Sequence, residues 1–94
     1  MMTLPILFED DSLLFINKPA GVVVNRAESV QTETIQDWME SRQWYGKWEE
    51  KDEELKALYL SRSGMVHRLD KDTSGVLVLA KDPQTMSQLM TQLS

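Results

Sequence analysis

The sequence predicts an α+β fold: a mixed, mainly antiparallel sheet with flanking helices. Three observations carry this. Short apolar runs separated by turn residues crowd the first 24 positions, with no helical segment between them. A stretch of helical periodicity follows, and an unalternating apolar run at 76–80 then leads into a capped helix. Strands first, then helix, then strand and helix, do not make the regular repeat of a doubly wound sheet.

Taken in order, Ile6-Leu7-Phe8 and Leu13-Leu14-Phe15-Ile16 read as two strands joined by the polar turn Glu9-Asp10-Asp11-Ser12. Lys18-Pro19-Ala20-Gly21 ends the second strand, because Pro lacks a ladder donor and Gly accepts unusual dihedrals. Val22-Val23-Val24 is β-branched and reads as a third extended piece. Thr32 or Thr34 caps a helix through Ile35, Trp38 and Met39, which Gly46 closes. Residues 47–60 form either an exposed loop or a second helix with Leu55, Leu58 and Tyr59 on one face; acidic residues at its start suit a helix N-terminus. Met65 to Leu69 reads as a strand entering the polar turn Asp70–Gly75. Val76 to Ala80, apolar throughout, reads as a strand buried on both faces. Pro83 suits the first position of a closing helix capped by Asp82, with Met86, Leu89, Met90 and Leu93 available to pack on the sheet.

Bulk properties bound the function. A chain of 94 residues is one domain at most, and its hydrophobic fraction of 41% permits a modest core. The absence of cysteine excludes disulfides and thiolate metal sites. No run approaches the roughly 20 apolar residues of a membrane span, and the first residues lack a basic leader, so a cytoplasmic protein is the expectation. The net charge of −5 is local: Glu49, Glu50, Asp52, Glu53 and Glu54, with Lys51, contribute −4 and leave −1 for the rest. The acidity therefore weakens a nucleic-acid reading without deciding it.

Chemistry concentrates at His67-Arg68-Leu69-Asp70-Lys71-Asp72-Thr73-Ser74-Gly75. A polar turn accounts for Asp, Thr, Ser and Gly, but has no need of His67 and Arg68. A calcium loop starting at Asp70 requires a bidentate Glu at its last position, where Lys81 stands. An aspartyl-phosphate nucleophile requires an apolar strand running straight into Asp70, which His67-Arg68 interrupts.

The stretch from Gly64 through His67-Arg68-Leu69-Asp70 to Lys81 closely resembles the central motif of the RluA-type RNA pseudouridine synthases, and Asp11 to Gly21, with Asn17-Lys18-Pro19-Ala20-Gly21, is similar to that family's first motif. The resemblance implies the amino-terminal part of a pseudouridine synthase catalytic domain over residues 1–94, with a variable acidic insertion at about 46–63 between the motifs. It implies isomerisation of uridine to pseudouridine in structured RNA (rRNA or tRNA), with no cofactor and no metal. The essential carboxylate of the family maps onto Asp70, as nucleophile or base; carboxylates are ordinarily ionised at neutral pH and need no activation to attack. Arg68 then fills the gap left by a flipped base or holds phosphate. His67 and Lys18 are expected near RNA, His67 as a structural or phosphate-contacting group ahead of a general base. Thr73, Ser74 and Gly75 are expected to shape the turn through side-chain to backbone bonds. Trp38 is expected in the core, and Trp44 and Trp48 sit beside acidic residues, a poor place for RNA.

The family's later motifs, which bring a Tyr against the target ring and a basic residue near the carboxylate, fall beyond Ser94. Tyr45 and Tyr59 precede Asp70, so neither replaces that Tyr in motif order. Two readings follow: part of an enzyme, or a non-catalytic remnant serving as a small RNA- or protein-binding module, with self-association through an exposed sheet edge.

Overall fold

The structure is a computed structural model describing residues 2–93. Strand β1 (Ile6–Glu9) and strand β2 (Leu13–Lys18) form an antiparallel hairpin with a register shift between Ile6 and Phe8. Asp10 builds the turn, its Oδ1 accepting from the N–H groups of Ser12 (2.8 Å) and Leu13 (2.7 Å). Strand β3 (Gly75–Ala80) pairs antiparallel on the other side of β2, which makes β2 central. Cross-strand partners Leu14 and Leu79, and Ile16 and Leu77, are buried on one face.

Beneath that face lies helix α1 (Ile35–Glu40), whose Ile35, Trp38 and Met39 enter the main core together with Leu4, Val24 and Met65. Thr34 is its cap, in a reciprocal box: the Thr34 hydroxyl accepts from Asp37 N–H, and Asp37 accepts from Thr34 N–H at 2.9 Å. Helix α2 (Glu53–Arg62), capped by Asp52, and helix α3 (Pro83–Leu93), capped by Asp82, pack on each other around Tyr59, Ala80 and Met86. Gly64 is indispensable where α2 returns to the sheet. Its φ is +80°, and a Cβ there would lie 2.2 Å from the Ala80 carbonyl oxygen.

Several expectations yield to this arrangement. Val22–Val24 is not a strand: the Val23 and Val24 carbonyls accept from Ile35 and Gln36 N–H (both 3.0 Å), so the segment satisfies the open end of α1 instead of a ladder. Helix α1 stops at Glu40 with Ser41 as its cap, because Ser41 Oγ and Arg42 Nε both bond the Trp38 carbonyl; Gly46 lies beyond in a turn. The segment left open between loop and helix is a helix from Glu53, but Leu58 points outward, and Leu55 and Tyr59, one turn apart, face in. Met65 to Leu69 is not a strand. Met65 alone bridges Leu79, and two residues later a side chain instead of the backbone takes the next outward N–H of β3. Strand β3 is covered unevenly: Leu77 and Leu79 lie in the main core, and on the opposite face Ala80 packs against Tyr59 and Met86, whereas Val78 on that face is half-buried and Val76 is 51% exposed. Leu93 is exposed, while Met86 is buried and Leu89 and Met90 are half-buried.

Candidate active site

The polar stretch from Val66 to Ser74 loops out between α2 and β3 and returns to the sheet at Gly75, opposite Lys18. Gly75 enters β3 at a φ of +147°, a value that side chains other than hydrogen resist. A hydrogen bond from Thr73 N–H to the Asp70 carbonyl (3.0 Å) closes the turn. Asp70 stands exposed at its start. Among the described residues its carboxylate has no hydrogen-bond partner, which leaves both oxygens open to a substrate.

Lys18 holds this turn in place. It ends β2 fully buried, and its ammonium donates to the carbonyls of Thr73 (2.7 Å), Lys71 (2.9 Å) and Pro19 (3.0 Å). A second strut runs from Gly21 N–H to the Lys71 carbonyl (2.8 Å). The two segments singled out in the sequence, 11–21 and 64–81, are thus bolted together at Lys18 and Gly21. Removal from water pushes the Lys18 ammonium below the ordinary lysine range, while the charges of Asp72 and Asp70 pull it back up. Lys18 is therefore no RNA contact. All three of its donors are used internally, and the side chain has no exposed surface.

His67 is also committed. Its Nε2 accepts from Val78 N–H at 3.0 Å, which closes part of the free edge of β3 and places the ring's own proton on Nδ1. Arg68, by contrast, is exposed and has no ion-pair or hydrogen-bond partner among the described residues. The turn hydroxyls do not act as expected: among the described residues neither Thr73 nor Ser74 makes a side-chain hydrogen bond. Backbone groups and Lys18 shape the turn instead. No three His, Asp or Glu side chains among the described residues converge as metal ligands.

Arg68 separates two cavities. One, of about 310 Å³, is lined by Asp70, Leu69 and Lys71 on one side and by Val23, Ala27 and Val30 on the other. The second, of about 260 Å³, lies between Arg68, His67 and the end of α2. Asn25 borders both. The loop 22–34 is thus a wall of the site, which the sequence did not disclose. Arg26 fixes that loop to α1 through an ion pair with Asp37 and a 2.8 Å pair with Glu40. Glu40 in turn accepts from Ser63 Oγ at 2.8 Å, so α1, α2 and the loop share one anchor. Arg26 and Asp37 lie eleven positions apart in the chain, and no motif spacing marks such a pair.

A free carboxylate on a braced turn, a free guanidinium two residues away and a cavity beside both make up the candidate site. Residues 12–94 match the RNA pseudouridylate synthase family. The chain belongs to that family. It is 43% identical over 93 residues to an uncharacterized RNA pseudouridine synthase of Helicobacter pylori strain 26695, covering 98% of this chain and 26% of the relative. It is 42% identical over 91 residues to the ribosomal large subunit pseudouridine synthase D of Xanthomonas campestris pv. campestris (97% of this chain, 24% of the relative). With the enzyme of the same name from Neisseria meningitidis serogroup A it shares 38% over 92 residues (98% and 22%). The chain thus spans about a quarter of the length of the curated relatives it matches.

Proposed function

We propose that this chain carries the catalytic-aspartate part of an RNA pseudouridine synthase, a cytoplasmic enzyme that isomerises uridine in structured RNA without cofactor or metal. The observation that carries the reading is Asp70, an unpartnered carboxylate beside a cavity, on a turn tied to β2 by a buried ammonium. Asp70 acts on the target uridine as nucleophile or base. Arg68, exposed and without an internal partner among the described residues, meets phosphate or takes the space of the displaced base, since a planar cation both stacks and donates. His67, Lys18 and Gly75 serve the reaction by holding the turn, and Thr73 contributes its carbonyl. The ribosomal large subunit in the relatives' names favours rRNA over tRNA as substrate.

Tritium release from RNA labelled at uridine C5 tests this directly. Release by the protein, abolished in Asp70→Asn and retained on ribosomal large-subunit RNA in preference to tRNA, is the expected result. RNA binding without release would favour the non-catalytic remnant. The exposed apolar residues Ile6, Leu7 and Phe8 of the edge strand β1 support self-association, which sedimentation at several concentrations measures.

A further inference from the structure

The largest of these cavities, about 450 Å³, shares no lining residue with the two that flank Arg68. It lies between the β1–β2 turn, the segment before α2 and the start of α3. Its walls are the indoles of Trp44 and Trp48, and its rim carries the carboxylates of Asp11, Glu49, Glu50 and Asp82.

Two lysines also line it, but one is already neutralised. Lys81 Nζ lies 2.8 Å from Glu9 Oε2 and donates to the Asp10 carbonyl, while sitting 5.0 Å from the centre of the Trp44 ring. The site therefore already holds one cation over an indole, the geometry in which the ring quadrupole attracts positive charge. Against the four rim carboxylates only Lys47 remains uncompensated, so the cavity is net acidic and repels phosphate.

The rim is also fixed before any ligand arrives. Glu50 is held from two sides, by Gln84 Nε2 (3.1 Å) and by Asp52 N–H (3.1 Å). Trp48 is set edge-on against buried Tyr59 at 5.1 Å. A ligand suited to these groups brings a planar cation to stack on an indole and pair with carboxylates, carried on an apolar stem. An arginine residue in a peptide has both.

We propose that this cavity docks an arginine-bearing segment of a basic protein partner. The site is separate from Asp70, and its test reads no turnover. The protein labelled with ¹⁵N at its indoles is titrated with acetyl-Gly-Arg-Gly-Arg-Gly-amide, with the same peptide carrying citrulline for arginine, and with an oligouridylate. Citrulline keeps the shape and removes the charge. The arginine peptide is expected to move the Trp44 and Trp48 indole signals in a saturable manner and to leave that of core Trp38 in place. The citrulline peptide is expected to bind several-fold more weakly, and Glu50→Gln to weaken the arginine peptide by about two- to fivefold, the range of a partly exposed ion pair. Unmoved Trp44 and Trp48 signals, equal binding of both peptides, or movement by the oligouridylate instead would each overturn the proposal.

Discussion

Replacing Lys18 by Met keeps the length and apolar stem of the side chain and deletes three hydrogen bonds. The three acceptors do not suffer equally. The Lys71 carbonyl keeps Gly21 N–H at 2.8 Å, and the Pro19 carbonyl keeps a long contact from Val22 N–H at 3.4 Å. The Thr73 carbonyl loses the partner that holds it at 2.7 Å. An acceptor stranded in the interior costs about 1–3 kcal/mol. Thr73 is itself exposed, so water reaches its carbonyl once the turn shifts, and the cost falls to the lower end. Burying a thioether also avoids the desolvation of an ammonium, which offsets part of the remainder. The net loss of stability is thus about 1 kcal/mol, or roughly 4–8 °C in Tm for a domain of this size. Aim suffers more. Asp70 begins the turn that Thr73 closes, and misplacement of a reacting group by about 1 Å costs on the order of a hundredfold in rate. Lys18→Met is therefore expected to lower kcat for tritium release about a hundredfold with a Tm fall of roughly 4–8 °C, and to speed amide exchange at Gly21 and Thr73 while β2 and α1 stay protected. Near-normal turnover with a loosened turn would refute the bracing argument. Lost turnover with unchanged exchange would mean that Lys18 reaches the substrate after all.

The remaining predictions concern the frame and the free cation. Gly64→Ala places a Cβ against the Ala80 carbonyl at a φ of +80°, and is expected to cost about 3 kcal/mol or more in chemical denaturation. Arg68→Ala should leave Tm within a few degrees, since Arg68 has no partner to lose, yet weaken turnover; Arg68→Lys should restore it only in part, because an ammonium does not stack as a plane. Asp37 is held below its ordinary value first by Thr34 N–H and then by Arg26, and Glu40 chiefly by Arg26. Both folded-state values lie below those of the unfolded chain, so their contribution is complete above an ordinary carboxylate pKa of about 4 and drains away as pH falls through the lower folded values. Tm measured from about pH 5 down to about pH 3 should fall, and Glu40→Gln should flatten that slope.

What was legible in the sequence follows from how local each feature is. The Asp10 turn, the Thr34 and Asp82 caps and the hairpin depend on residues within a few positions of one another, and their chemistry can be read from spacing. Asp70 was legible because a motif surrounds it. Burial of β3 is only partly legible because a run of apolar residues does not say how far a second layer extends along the strand: Ala80 is covered by Tyr59 and Met86, whereas Val76 on the same side is exposed. The wall made by Asn25, Ala27 and Val30 was invisible for another reason. It exists only because Arg26 reaches Asp37 and Glu40 across a loop, a tertiary contact without local pattern.

The same distinction sorts the polar residues of the motif by task. Four of its neighbours in sequence or space look equally reactive on paper: Lys18, His67, Arg68 and Asp70. The fold spends the first two. Lys18 gives every donor to carbonyls, and His67 gives Nε2 to an edge-strand N–H that would otherwise point outward unpaired. Buried polar groups must be satisfied, so a side chain that satisfies them cannot also serve a substrate without unmaking the structure. Arg68 and Asp70 are what remains after that accounting, one cation and one anion with no internal partner among the described residues, on a turn held through the carbonyls of Asp70, Lys71 and Thr73. Reactivity here is read from the hydrogen bonds that are not made, and aim from those that are.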